Sequence, residues 1–143
     1  MGLFSKLQEK PSKKASDDIL LFHAMICMAT ADGVLEESEV ASVEAFFVAL
    51  PEFRTHNFHN LLEESNRLAD KHDTAIAAAQ ELSAIQSEAV RRKAFVLAVD
   101  IALSAGTPGK PEEDMLAAMQ QALGIDDELA AKVVDVLALK YAQ

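Results

Sequence analysis

The stretch from Ala29 to Glu39 (Ala-Thr-Ala-Asp-Gly-Val-Leu-Glu-Glu-Ser-Glu) most constrains what this chain can fold into. An apolar helical pattern runs into it and another runs out. Between them, an Asp-Gly pair is followed by three acids within four residues. Gly33 takes a positive φ at little steric cost, so it suits a helix C-terminus or a tight turn. Glu36, Glu37 and Glu39 fall in the first turn of the next helix, where the macrodipole favours negative charge. The stretch reads as helix, sharp acidic turn, helix, with a hint of cation binding.

The rest of the chain has the same grammar. Residues 1–15 form a basic leader with Lys6, Lys10, Lys13 and Lys14 around Pro11. Leu3, Phe4 and Leu7 suit packing on the body, and a mobile tail suits the leader equally. Residues 16–143 are expected to form a single helical domain. Ser16 is the N-cap of the first long helix, with Asp17 and Asp18 in its first turn. Ile19, Phe22, His23, Ile26 and Thr30 follow helical spacing. The second helix, about residues 36–49, turns Val40, Val43, Phe46, Phe47 and Leu50 inward, and Pro51 breaks it. A third helix spans roughly residues 55–71. A fourth, shorter one carries Ile76, Ala79 and Leu82, with Asp73 or Thr74 as its cap.

Ser87 caps the fifth helix, about residues 88–105. It is apolar from Ala94 to Leu103 except at Asp100, so it belongs at the centre of a bundle. Gly106 to Pro111 is a loop. Pro111 suits N1 of the sixth helix, and Gly124 ends that helix as C′. Asp126 caps the seventh. No segment alternates with period two. The expected fold is all-α, a compact bundle of about seven helices.

Composition narrows the function. There are 23 acids against 13 bases, a net charge of −10. Such a surface repels nucleic acid and anionic membrane, so neither is an expected partner. Cations and basic proteins suit it, and so does plain solubility. Cys27 is the only cysteine and lies in an apolar run, which predicts a buried, inert thiol. No signal-peptide core and no membrane-length apolar run occur. The start resembles a myristoylation signal, but Lys6 stands where Ser or Thr is required. A cytoplasmic protein without a stable membrane anchor is expected.

The two halves also resemble each other. Ile26 to Glu39 runs apolar helix, small residues, Asp-Gly, acidic helix start. Ile101 to Leu116 repeats that order, with Gly106 opposite Gly33, Ala105 opposite Asp32 and Glu112 opposite Glu39. The turn aspartate is missing from the second copy.

On these residues the sequence resembles the TerB-like family, named for a tellurite-resistance protein. Met28 to Leu35 followed by Glu39 carries the resemblance in the first half. Ile101 to Gly106, Glu112-Glu113, Leu116 and Ala122 to Ile125 carry it in the second. The resemblance spans about residues 18–125. It implies a helical fold with two pseudo-symmetric halves and a non-enzymatic role in bacterial tellurite resistance or a related stress response. It also implies that acids of the two turns and their following helices gather on one face and bind a metal. By position these are Asp32, Glu39 and either Glu112 or Glu113. Ala105 and the longer loop through Pro108, Gly109 and Lys110 depart from the pattern.

The candidate metal ligands are therefore Asp32, Glu36, Glu39, Asp100, Glu112 and Glu113. Carboxylates are hard donors suited to calcium, magnesium or manganese. Glu36 and Glu39 lie one helical turn apart. Gly33 directly after Asp32 excludes an EF-hand loop. A helix start carrying its usual acids accounts for Glu36 to Glu39 as well. Asp100 joins the set if the fifth helix crosses nearby, whereas a polar stripe with Lys93 and Ser104 explains it without a metal. His56, His59 and His72 lack a zinc spacing and suit a polar surface. His23, on an apolar face, suits a satisfied, half-buried histidine.

No nucleophile elbow and no phosphate-binding glycine loop occur, so no enzyme is expected. No motif requires a cofactor beyond the divalent ion. Two roles follow: a stress-response protein that binds metal or a protein partner through its acidic face, or a metal-independent helical interaction module.

Overall fold

The computed structural model describes residues 15–143, so the leader, apart from Ala15, lies outside the described residues. Seven α-helices follow in order: α1 (Asp17–Ala29), α2 (Glu37–Ala49), α3 (Phe58–Ala69), α4 (Ala75–Ala78), α5 (Glu88–Ser104), α6 (Lys110–Leu123) and α7 (Asp127–Tyr141). Short 3-10 turns occupy Pro51–Phe53 and Ala79–Ala84. No strand occurs among the described residues. The all-α bundle is as the periodicity requires.

Caps fix the helix starts. The side chains of Ser16, Asn57, Thr74, Ser87 and Asp126 each accept a backbone N–H three residues on. Gly124 closes α6 at φ +67°, a left-handed conformation that costs glycine least. Three boundaries differ from the sequence pattern, one being the sixth helix, which starts at Lys110 with Gly109 as its cap, so that Pro111 is at N2 and not N1. The third helix starts at Phe58 because Asn57 is its cap. The fourth is one α-turn followed by a 3-10 turn, since six of its ten residues tighten over Ala79–Ala84.

The more enclosed helix is α1, not α5 alone. From Leu20 to Ala29 only Ile26 escapes full burial. It packs against α2, α3, α4, α5, α6 and the Ala79–Ala84 turn. Its neighbour α5 in turn packs against α2, α6 and α7. The first turn of α1 is tied to the start of α5 by one carboxylate: Asp17 accepts the N–H groups of Gln86 and Ser87, both at 3.0 Å.

Phe22 projects from α1 into an aromatic cluster. Phe47, Phe53 and Phe58 meet its ring edge-on at 6.5, 5.9 and 5.4 Å. Phe53 comes from the short turn after Pro51, where helical periodicity carries no signal. A second device uses His23, fully buried at 1 % exposure rather than half-buried. Its Nε2 lies 3.0 Å from the carbonyl of Ala78, which only accepts, so Nε2 carries the proton. Nδ1 then accepts from the Ser65 hydroxyl at 2.8 Å. One imidazole thus joins α1, α3 and α4. Burial lowers its pKa, against the opposing pull of the Ala78 carbonyl and the Glu81 charge. Cys27 lies beside it, 3.4 Å from Nε2, and burial alone pushes its thiol up to about 12. It is the inert cysteine expected from its surroundings.

Two measurements check this packing. Phe22→Ala should cost about 3–5 kcal/mol in urea unfolding, whereas Val48→Ala, at an 80 % exposed position, should stay within about 0.5 kcal/mol. The neutral His23 makes stability fall as pH drops below about 6.5, because the unfolded chain takes up a proton that the folded one resists. That loss should approach about 1.4 kcal/mol per pH unit within the window. His23→Gln, less stable at neutral pH, should lack the slope.

Candidate functional site

The acidic turn leaves α1 at Thr30 and enters α2 through Glu36. Asp32 Oδ1 accepts the N–H of Val34 at 2.9 Å, which folds the loop over its own side chain. Gly33 follows at φ +79°, the conformation for which this position needs glycine. The second helix–turn–helix unit, α5 to α6, also turns through a glycine, Gly106 at φ +107°. The likeness stops there, since Ala105 offers no side-chain acceptor.

Glu39 is the unexpected residue. Its Oε1 reaches back to accept the N–H of Glu36 at 3.2 Å, which satisfies a donor at the helix start. The side chain therefore lies along the bundle and is 2 % exposed. A signal for this was present: Glu39, Val43 and Phe46 are spaced i, i+4, i+7, so Glu39 falls on the apolar stripe of α2. Burial raises its pKa, opposed by the Glu36 N–H, and the charges of Asp32, Glu112 and Glu36 raise it further.

Glu112 stands in the first turn of α6. A Cβ at Gly109 would stand 3.3 Å from its Oε2, so the glycine leaves room for this carboxylate. Its neighbour Glu113 is exposed and lines a separate groove between α6 and α7. Among the described residues, no ion pair includes Asp32, Glu36, Glu39 or Glu112. The donor chemistry fits a hard divalent cation. In their present rotamers, however, no three His, Cys, Asp or Glu side chains among the described residues are arranged to hold a metal ion.

Asp100 is engaged elsewhere. It is 7 % exposed on α5, and both its oxygens accept from Lys140 Nζ at 3.0 Å. The Tyr141 hydroxyl donates to Oδ1. Lys140 also lies 5.1 Å from the centre of the Tyr141 ring. The hydrogen bond to Asp100 raises the Lys140 pKa. The suspected polar stripe is not the explanation, because Lys93 pairs with Glu52 at 2.8 Å and Ser104 bonds the carbonyl of Ile101. The true partners lie 40 and 41 residues away, beyond any local spacing. The histidines outside the core also have acid partners: His56 with Asp18, His59 with Glu63, His72 with Glu81.

Removing the lysine tests the clasp on Asp100. Lys140→Met should cost about 1–3 kcal/mol, since a buried carboxylate keeps only the tyrosine hydroxyl. Lys132→Met, which breaks only the exposed pair with Glu128, should cost under about 0.5 kcal/mol. Urea unfolding of both variants makes the comparison.

No curated protein and no solved structure matches the chain. The family model described as tellurite resistance protein TerB matches residues 19–133, from the start of α1 into α7. That span takes in the acidic turn and most of the helices, and the chain belongs to the TerB family.

Proposed function

We propose that this TerB-family protein acts without catalysis in a bacterial stress response of the tellurite-resistance type, binding a divalent cation on its acidic face. The observation that carries the reading is Glu39: a residue 2 % exposed, whose carboxylate accepts one backbone N–H and has no ion pair among the described residues. A buried carboxylate without a cation is costly, and a site that holds one in place has been built at the expense of stability. Asp32, Glu36, Glu39 and Glu112 would hold the ion. Calcium, magnesium and manganese match the all-oxygen donor set. Bound there, the ion would supply the positive charge that the cluster lacks. Asp32 and Glu36, both exposed, are the side chains with room to turn toward Glu39. A cytoplasmic location belongs to the same proposal. Among the described residues, no helix is long and apolar enough to cross a membrane.

A second reading is a metal-independent interaction module. It is favoured by the lack of three converging ligands in the present rotamers. The cluster would then be a surface for a basic protein partner.

Glu39→Gln separates the two. Glutamine keeps an oxygen for the Glu36 N–H and removes the charge. Without metal at neutral pH, the variant should melt above the parent. With a saturating ion the order should reverse. At a hundred-fold excess over Kd the parent gains about 2.7 kcal/mol, or several degrees at about 2–4 °C per kcal/mol. Thermal melts of metal-stripped protein with calcium, magnesium, manganese and zinc added in turn give the answer. A parent that shifts with none of them would sink the cation reading and leave the interaction module.

A further inference from the structure

Helices α6 and α7 both pack against α5 but make little contact with each other. Near their connecting turn, the Gln120 side chain bonds the Ile125 carbonyl and the Asp127 carboxylate. Further along, a trough of about 580 Å³ separates them, with α5 as its floor. Phe95 and Leu103 come from the floor, Leu116 from the α6 wall and Val134 from the α7 wall. Phe95 is buried, whereas Leu103 and Leu116 are half-buried and Val134 is exposed, so apolar surface faces water. Phe95 and Leu103 are eight residues apart, about 12 Å or two turns of helix.

The α7 wall is under-covered for a helix of its length. Of its fifteen residues only Ala130 is buried. Ala131, Val134 and Ala138 form an apolar stripe at i, i+3 and i+7, and all three are exposed. The charges of the trough are of one sign. Two charged residues line it, Glu113 on the α6 wall and Asp135 on the α7 wall. Both are exposed, and neither is in an ion pair among the described residues. An apolar floor between two acidic walls complements a helix that is apolar below and basic on both flanks. It disfavours a phosphate backbone or an anionic lipid. It disfavours a second copy as well, since each chain carries a net charge of −10.

We propose that this trough receives a basic amphipathic helix of a partner protein, which lies between α6 and α7 and completes a four-helix arrangement over α5. Its apolar residues at i, i+3 or i+4, and i+7 meet Leu103, Leu116 and Val134, the helix-in-groove mode of recognition. Lysine or arginine on its two flanks pairs with Glu113 and Asp135. The apolar contact supplies affinity, and the charges steer the encounter and fix which face turns down. The inference is independent of the cation reading, because none of Asp32, Glu36, Glu39 and Glu112 lines the trough.

The probe is a labelled synthetic helical peptide of about 14 residues, or four turns, with leucine along one face and lysine on both flanks. Fluorescence anisotropy with the full-length protein should show saturable binding, one peptide per chain, that weakens with salt. Glu113→Lys with Asp135→Lys should raise Kd by about tenfold or more, whereas Glu44→Lys with Asp73→Lys, the same charge change at exposed positions outside the trough, should leave it within about twofold. A peptide with glutamate in place of lysine should reverse the preference, binding the Glu113→Lys, Asp135→Lys variant and not the parent. Replacing the leucines by alanine should abolish binding with the charge intact. Absence of saturable binding overturns the proposal. So does retention of the alanine peptide, or an equal loss with Glu44→Lys and Asp73→Lys, since either means diffuse charge attraction alone. A parent that sediments as a dimer and is split by the peptide overturns it too, by making the occupant a second copy of the chain.

Discussion

The enclosure of α1 is the constraint that shapes everything else. A thirteen-residue helix with nine buried residues has no face to spare for water. Every direction around it must be covered, and the rest of the chain supplies the cover: α2 and α3, the Ala79–Ala84 turn, α5 and α6. Small side chains such as Ala24, Cys27 and Ala29 let these neighbours approach closely. The polar groups that cannot be avoided inside are matched one to one. His23 finds Ser65 and Ala78, Asp100 finds Lys140 and Tyr141, and no buried side-chain polar atom among the described residues lacks a partner.

Glu39 differs from these in the sign of its neighbours, not in lacking a partner. Its single backbone hydrogen bond satisfies one oxygen, while its nearest charges are of its own sign. The contrast with Asp100 is instructive because both are nearly buried carboxylates on helices. One is neutralised from within the chain and serves packing. The other has no ion pair among the described residues.

Local rules were legible in the sequence and remote pairings were not. Ser16, Ser87 and Asp126 announce their helices because a cap acts within three residues, and Gly33 and Gly124 announce their turns because positive φ is a property of one residue. The two halves could be aligned by the same logic, although the structure supports the likeness only at the glycines. Phe53 lies in a three-residue turn too short for any period. The ties from Asp17 to Ser87, from Lys93 to Glu52 and from Lys140 to Asp100 join residues 40 to 70 positions apart. Nothing in a spacing encodes such pairs. Of the six candidate ligands, Asp100 is the one whose partners the structure shows, and they come from the far end of the chain.

The enclosure of α1 also sets a schedule for synthesis. The helix leaves the ribosome ahead of its covering partners, one of which, α6, ends at Leu123, 94 residues after Ala29. At about 5–20 residues per second, that interval lasts about 5–19 s. For that time a nearly all-apolar helix waits with part of its circumference open. A nascent chain of this design depends on whatever shields apolar surface at the tunnel exit, well before its own acidic exterior can keep it soluble.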